Sequence, residues 1–263
     1  MPGKLSILRV DPKKKCNSAV IREKTCLSRD GQAGCGYRNR ESRGENMDWL
    51  IMSIWGLFLP LPLKAGTEYI LRHYYQYPQR LPGGWLYLHC LLSGVLIVFW
   101  SDGQGVYVLF LTLLFLCLVM LFHIDNSVFY LPDKLVFPVL WAGLLFQNEV
   151  RLVTFSSALY GVIGGFFLLW SVAEGYAWCR KKSGLGGGDI KLFSASGAWV
   201  GAEQLALLLM LACVSALVVS GMQYLRYRCH HHPRCGPRII AFGPHLIAGM
   251  IMVMGLMSGS RFQ

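Results

Sequence analysis

Charged residues are scarce in this sequence. Asp, Glu, Lys and Arg make up 15% of its 263 residues, whereas hydrophobic residues account for 54%. The mean hydropathy is +0.43. Because a typical soluble domain carries about 25% charged residues, this shortage excludes an ordinary soluble domain and places the chain in the membrane class.

Paired cysteines are also missing, although the chain contains nine cysteines. No Cys-x-x-Cys pair occurs anywhere, which excludes the commonest zinc-binding spacing. Cys90, Cys117 and Cys213 lie within apolar runs, where a thiol behaves as a small hydrophobic group. The sequence therefore predicts neither a disulfide framework nor a metal site.

The first 46 residues differ from the rest in charge. They hold 11 of the 25 Lys and Arg residues and 5 of the 14 acids of a chain whose net charge is +11. They show no apolar period and no apolar segment of a signal peptide. We predict a disordered basic tail at 1–46, a membrane-embedded helical bundle at 47–263, and no nucleic-acid partner.

Eight apolar runs approach the length needed to cross a bilayer, which is about 20 residues. They lie at about 48–63, 85–100, 106–124, 134–147, 155–176, 189–201, 203–223 and 239–257. Pro60 and Pro62 are predicted to end the first run. The expected fold is all-α, a polytopic membrane protein with about eight transmembrane helices.

Lys and Arg indicate the orientation, because cytoplasmic loops retain them. The loops after the first, third, fifth and seventh runs hold eleven such residues, whereas the opposite side holds only Arg151 and Arg261. These loops are therefore predicted to be cytoplasmic. The basic tail conflicts with this orientation, so either the natural chain begins at Met47 or the first run does not span.

Two of the few acids outside the tail occupy comparable positions. Asp125 ends the third run and Asp189 opens the sixth. Two crossings separate them, so both carboxyls are predicted at the cytoplasmic ends of their helices. Ionisable groups at membrane depth are costly and mark functional sites. Two carboxyls that meet there share a proton, and such a pair can activate water and protonate a leaving amide nitrogen.

Glycines surround the second acid, in the segment 184–192 (GLGGGDIKL). Four glycines are predicted to leave room beside Asp189 for a peptide backbone: Gly184, Gly186, Gly187 and Gly188. Lys191 is predicted to steady negative charge nearby. The alternative interpretation is a flexible loop followed by an acid that caps its helix. The matching acid on the same side favours the functional interpretation.

Three ordered segments resemble the type IV prepilin peptidases, polytopic aspartic proteases of the GxGD class. Residues 186–192 (GGGDIKL) resemble the family's GxGDxKL segment. Residues 124–138 (IDNSVFYLPDKLVFP) resemble the segment that carries its first aspartate, and residues 241–244 (AFGP) resemble its Phe-Gly-Pro segment. The resemblance covers about 106–257.

This resemblance implies that Asp125 and Asp189 are the catalytic pair of a membrane aspartic endopeptidase. The substrate would be the N-terminal leader of a prepilin or pseudopilin of a type IV pilus or type II secretion system, cut on the cytoplasmic side of the bacterial inner membrane. Bifunctional members also N-methylate the new terminus with S-adenosylmethionine, and carry two Cys-x-x-Cys pairs in a larger loop. Here the loop at about 64–84 is short and lacks cysteine, so methylation is doubtful and no cofactor is expected.

Other interpretations stay open on the sequence. The acids could form a proton relay in a small transporter, although no inverted repeat is found. A non-catalytic assembly protein is the third alternative, against which the presence of both acids counts. Residues 229–235 (CHHHPRC) concentrate metal-capable groups but lack a recognised spacing, so a solvated basic loop is predicted. Asp133 is predicted to turn its loop with Pro132, with a catalytic role as the alternative.

Overall fold

The structure is a computed structural model that describes residues 58–76, 83–101, 105–181, 184–230 and 240–259. These residues belong to one compact unit. The predicted basic tail, the predicted start at Met47 and the side chains of the 229–235 cluster lie outside the described residues.

Within these ranges the chain is helical and contains no β-strand. A short 3-10 helix (Ala202–Gln204) precedes the seventh α-helix. The α-helices are α1 (Pro60–Tyr75), α2 (Gly83–Ser101), α3 (Gly105–Val128), α4 (Asp133–Val150), α5 (Phe155–Arg180), α6 (Gly187–Val200), α7 (Leu205–His230) and α8 (Gly243–Gly259).

Three described stretches are long and apolar enough to cross a membrane: Gly105–Val128, Phe155–Arg180 and Ala202–Leu225. The helix α5 buries only one narrow face, and large apolar side chains such as Phe167 and Trp178 point outward. Such a surface is typical of a helix that faces lipid. The all-α membrane protein is confirmed, whereas the count of eight spanning helices stays a prediction.

Pro60 and Pro62 lie in the first turn of α1, which continues to Tyr75. Proline is tolerated there since the first N–H groups of a helix have no intrahelical partner. Whether the first apolar run ends at these prolines is a prediction about residues 48–57, which lie outside the described residues. Residues 64–75 of the loop predicted at about 64–84 are helical.

The helix α1 packs against α3. Leu63, Thr67 and Leu71 form its buried face, at a spacing of four residues. Leu71 clusters with Ile124, the residue that precedes Asp125. The C-terminal part of α1 therefore lies beside the acidic end of α3.

The helices α5 and α6 meet at glycines. A Cβ atom on Gly161 would lie 2.6 Å from the Gly197 carbonyl oxygen, and a Cβ on Gly197 would meet the Gly161 carbonyl group at a similarly short distance. Because neither residue has a side chain, the two backbones approach closely. The hydroxyl of Ser194 on α6 donates to the Val162 carbonyl on α5 at 2.7 Å and closes the same contact.

Polar groups buried between α4 and α6 fix the far end of α6. The indole N–H of Trp199 donates to the Val139 carbonyl at 2.9 Å. The amide of Gln147 donates to the Trp199 carbonyl at 2.7 Å and accepts the Val153 N–H at 3.1 Å. Satisfied polar groups in an apolar interior specify a single packing arrangement.

We predict that Gly161→Ala lowers the free energy of unfolding by about 1–3 kcal/mol, because the added methyl group meets the backbone of α6. Gly164→Ala on the same helix is the matched control, since nothing lies within 4 Å of its Cβ position. Thermal unfolding of the detergent-solubilised variants measures the difference. Equal unfolding midpoints for the two variants would contradict the predicted backbone contact.

Candidate functional site

The first predicted acid lies near the C-terminal end of α3, inside the bundle. Asp125 is 3% exposed. Its Oδ2 atom accepts a hydrogen bond of 3.0 Å from the backbone N–H of Gly243, the first residue of α8. The last helix of the described chain therefore binds this carboxyl directly, across 118 residues of sequence.

The second predicted acid lies in the first turn of α6. Asp189 is 9% exposed, and its Oδ1 atom is buried without a hydrogen-bond partner in the described part of the chain. The Asp125 carboxyl lies close enough to act electrostatically on the Asp189 carboxyl. The structure thus brings the two acids to one end of the bundle, as the parity of the crossings predicted.

Leu131 lies between the start of α6, which carries Asp189, and the start of α8, which binds Asp125. A Cβ atom on Gly188, next to Asp189, would lie 2.8 Å from Leu131 Cβ. A Cβ atom on Gly243 would lie 3.3 Å from Leu131 Cδ1. One buried leucine therefore contacts both glycines, and each glycine lies next to one of the acids.

The glycines before Asp189 leave less open space than predicted. The position of a Cβ on Gly184 is occupied by the Tyr176 ring, and that on Gly188 by Leu131. Gly186 acts through its backbone, because it caps α6 and its carbonyl accepts the N–H groups of the residues at 189 and 190. The space expected for a substrate is filled at 184 and 188 and is open at Gly187.

Lys191 stabilises negative charge, as predicted, but the charge is that of Asp133 and not that of Asp189. Its ammonium group donates to both carboxylate oxygens of Asp133, at 2.8 and 2.7 Å. Asp133 is the first residue of α4, where a negative charge also favours the helix dipole. The ion pair ties the start of α4 to the first turns of α6, so both carboxyls of the candidate site lack this lysine as a partner.

The contacts that Leu131 and Gly243 make at this site could not be predicted from the sequence. The only signal for Gly243 was the Phe-Gly-Pro segment, which gives no indication of its partner. His123 precedes Asp125 by two residues, a spacing that points the two side chains in different directions on a helix. It is 5% exposed and meets the His89 ring edge-on, with ring centroids 5.2 Å apart.

Two carboxyl groups that are buried together can exchange a proton with each other and can act on a molecule that reaches them. Like charges at close range disfavour double ionisation, so the pair titrates as a unit. One carboxylate can accept a proton from water while the neighbouring carboxylic acid donates one. The arrangement is therefore suited to hydrolysis by acid–base catalysis.

Comparison with known proteins finds similarity to leader peptidases. Residues 111–221 match the type IV leader peptidase family. The chain is 36% identical to a prepilin leader peptidase/N-methyltransferase of Aeromonas salmonicida (strain A449) over 168 residues, which is 64% of this chain and 55% of the relative. It is 36% identical over 146 residues to that of Escherichia coli (strain K12), covering 55% of this chain and 62% of the relative.

A third relative, from Neisseria gonorrhoeae and with the same name, is 33% identical over 165 residues, 62% of this chain and 54% of the relative. The chain thus spans between half and two thirds of the length of these relatives. No solved structure matches it significantly. The resemblance inferred from the three motifs is confirmed.

We predict that Lys191 and Asp133 are energetically coupled and that Lys191 and Asp189 are not. The two paired side chains are 41% and 42% exposed, so solvent screening limits their coupling to about 0.5 kcal/mol. Double-mutant cycles on thermal unfolding, with Lys191→Met combined with Asp133→Asn or with Asp189→Asn, measure both couplings. A larger coupling to Asp189 would reverse the assignment of the partner.

Proposed function

We propose that this chain is a membrane aspartic endopeptidase that removes the N-terminal leader of prepilins or pseudopilins, and the match of residues 111–221 to the type IV leader peptidase family supports this proposal. The catalytic groups are the carboxyls of Asp125 and Asp189. The observation that carries the proposal is their common burial at one end of the bundle, where Leu131 contacts the glycine beside each acid. The family match supports the reaction class.

In the proposed reaction one carboxylate removes a proton from a water molecule as the water oxygen attacks the scissile carbonyl carbon. The carboxylic acid of the other residue protonates the amide nitrogen, and the carbon–nitrogen bond breaks. The products are a new carboxyl terminus on the leader and a new amino terminus on the pilin. One carboxyl has then gained a proton and the other has lost one, and proton transfer between them restores the pair for the next turnover.

The cleavage side follows from the position of the acids and of the basic residues. The acidic end of the bundle is also where α1 and α5 end and where α4, α6 and α8 begin. Lys134, Arg180 and Lys181 lie at this end, as expected for a cytoplasmic face. The proposal therefore places the site at the cytoplasmic side of a multi-pass protein in the bacterial inner membrane, with membrane lipid around the bundle.

Gly186 and Lys191 support the site indirectly. Gly186 caps the helix that carries Asp189, and Lys191 forms an ion pair with Asp133. Asp133 is engaged in this ion pair, which supports a structural role for it. The proposed catalytic pair thus consists of two buried acids, and neither of them forms an ion pair within the part of the chain that the structure describes.

The proposed activity is hydrolysis without methylation. The segment that joins α1 to α2, residues 76–82, contains no cysteine, and the chain contains no Cys-x-x-Cys pair. Metal-bound cysteine pairs would be needed for the larger cytoplasmic domain that bifunctional members carry. No cofactor is part of the proposed peptidase reaction.

We predict that Asp125→Asn and Asp189→Asn each abolish leader removal, because an amide neither accepts nor donates the required proton. Membranes that contain each variant are incubated with a prepilin, and the loss of the leader is followed by gel mobility. Asp133→Asn is the matched control and is expected to keep most of the activity. Cleavage by either of the first two variants would refute the dyad, and proton flux without cleavage would favour a transporter.

We predict that leader removal proceeds without S-adenosylmethionine and that the new amino terminus stays unmethylated when this compound is added. Intact-mass measurement of the cleaved pilin distinguishes the two termini, since a methyl group adds a fixed mass. Added S-adenosylmethionine is expected to leave the cleavage rate unchanged. A methylated product formed by the purified chain would contradict this part of the proposal.

A further inference from the structure

At the start of α8 one backbone N–H group has no partner within the helix, and it donates a hydrogen bond to Asp125. Pro244 has no N–H, and the next two N–H groups of the helix bond to the Phe242 carbonyl. The N–H of Gly243 is left, and it donates to Oδ2 of Asp125 at 3.0 Å. Because the first N–H groups of a helix lack intrahelical partners, this bond satisfies both the helix and the buried carboxyl.

A side chain at position 243 has no room beside the carboxyl. A Cβ atom on Gly243 would lie 2.5 Å from Oδ2 and 3.0 Å from Cγ of Asp125, and 3.3 Å from Leu131 Cδ1. The hydrogen bond and the steric conflict concern the same carboxylate oxygen. Any residue other than glycine would therefore push the carboxyl away from the position that the N–H holds.

The helix α8 cannot easily move away from Asp125 to relieve this conflict, because it packs closely against α7. A Cβ atom on Gly249 would lie 3.0 Å from the Leu208 carbonyl oxygen, so the two backbones are already close. The Ser215 hydroxyl and Nδ1 of His245 lie 3.0 Å apart and form a second link. A clash at position 243 is therefore relieved by movement of the Asp125 side chain.

We propose that Gly243 is a positioning residue for the reaction: its N–H holds Oδ2 of Asp125 and its missing side chain keeps the carboxyl facing Asp189. The inference rests on the proposed peptidase function. It adds a part played by the last described helix, which supplies no catalytic side chain. The role of the Phe-Gly-Pro segment is then to hold one carboxyl oxygen of Asp125 at a fixed distance from a backbone donor.

The first test is kinetic. Gly243→Ala is expected to lower kcat by about 100-fold, the usual cost of misplacing a catalytic group by about 1 Å, with KM and the unfolding midpoint little changed. Gly249→Ala is the control on the same helix and is expected to lower the unfolding midpoint while each folded molecule keeps its kcat. Gly221→Ala, with nothing within 4 Å of its Cβ position, is expected to alter neither.

A second variant separates positioning from packing. Leu131→Ala in the Gly243→Ala background removes the 3.3 Å conflict with Leu131 but leaves the 2.5 Å conflict with Asp125. The double variant is therefore expected to stay as slow as Gly243→Ala. Recovery of kcat in the double variant would show that the effect came through Leu131, and would overturn the inference.

A third measurement does not depend on cleavage. Labelling of Asp125 with dicyclohexylcarbodiimide, quantified by peptide mass spectrometry, is expected to change several-fold in Gly243→Ala and to stay unchanged in Gly221→Ala. If the wild-type chain cleaves no prepilin, the proposed function fails and the labelling alone decides whether Gly243 positions the carboxyl. Unchanged labelling, or a Gly243→Ala variant with wild-type kcat, would overturn the inference.

Discussion

Two carboxyl groups enclosed together in an apolar helical bundle constrain the rest of this structure. Each buried charge is costly unless it is paired or hydrogen-bonded, and two like charges at close range cannot both persist. A cation between them would stabilise both as anions and remove the shared proton. The nearest lysine in sequence, Lys191, is bound by Asp133 instead. The pair therefore keeps its proton chemistry, and a neutral backbone N–H from α8 holds Asp125.

The pair also requires that the start of α6 be held against the end of α3. The helix α6 has only 14 residues, and its position is set by contacts rather than by length. Glycine contacts with α5 draw the backbones together at Gly161 and Gly197. Hydrogen bonds of Trp199 and Gln147 hold the other end of α6 against α4. Packing far from the carboxyls thus fixes where Asp189 lies.

Sequence reasoning succeeded where a simple count decides the outcome. The number of crossings between Asp125 and Asp189 placed both acids at one end, whatever the details of packing. It failed at residues 64–75, which it assigned to a loop and which form most of α1, because proline can begin a helix as well as follow the end of one. It also assigned space to Gly184 and Gly188 that Tyr176 and Leu131 fill, since a glycine's local freedom does not reveal which distant side chain approaches it.

The sequence by itself determined the all-α membrane class, the common end of the two acids and the resemblance of residues 111–221 to the type IV leader peptidases. Hydropathy, the parity of crossings and short motifs are properties of the chain read in order, and no distant contact alters them. Only the tertiary structure decided the partners: Gly243 for Asp125, Asp133 for Lys191, and Leu131 between the two glycines. These pairs join residues far apart in sequence, and they depend on how whole helices pack.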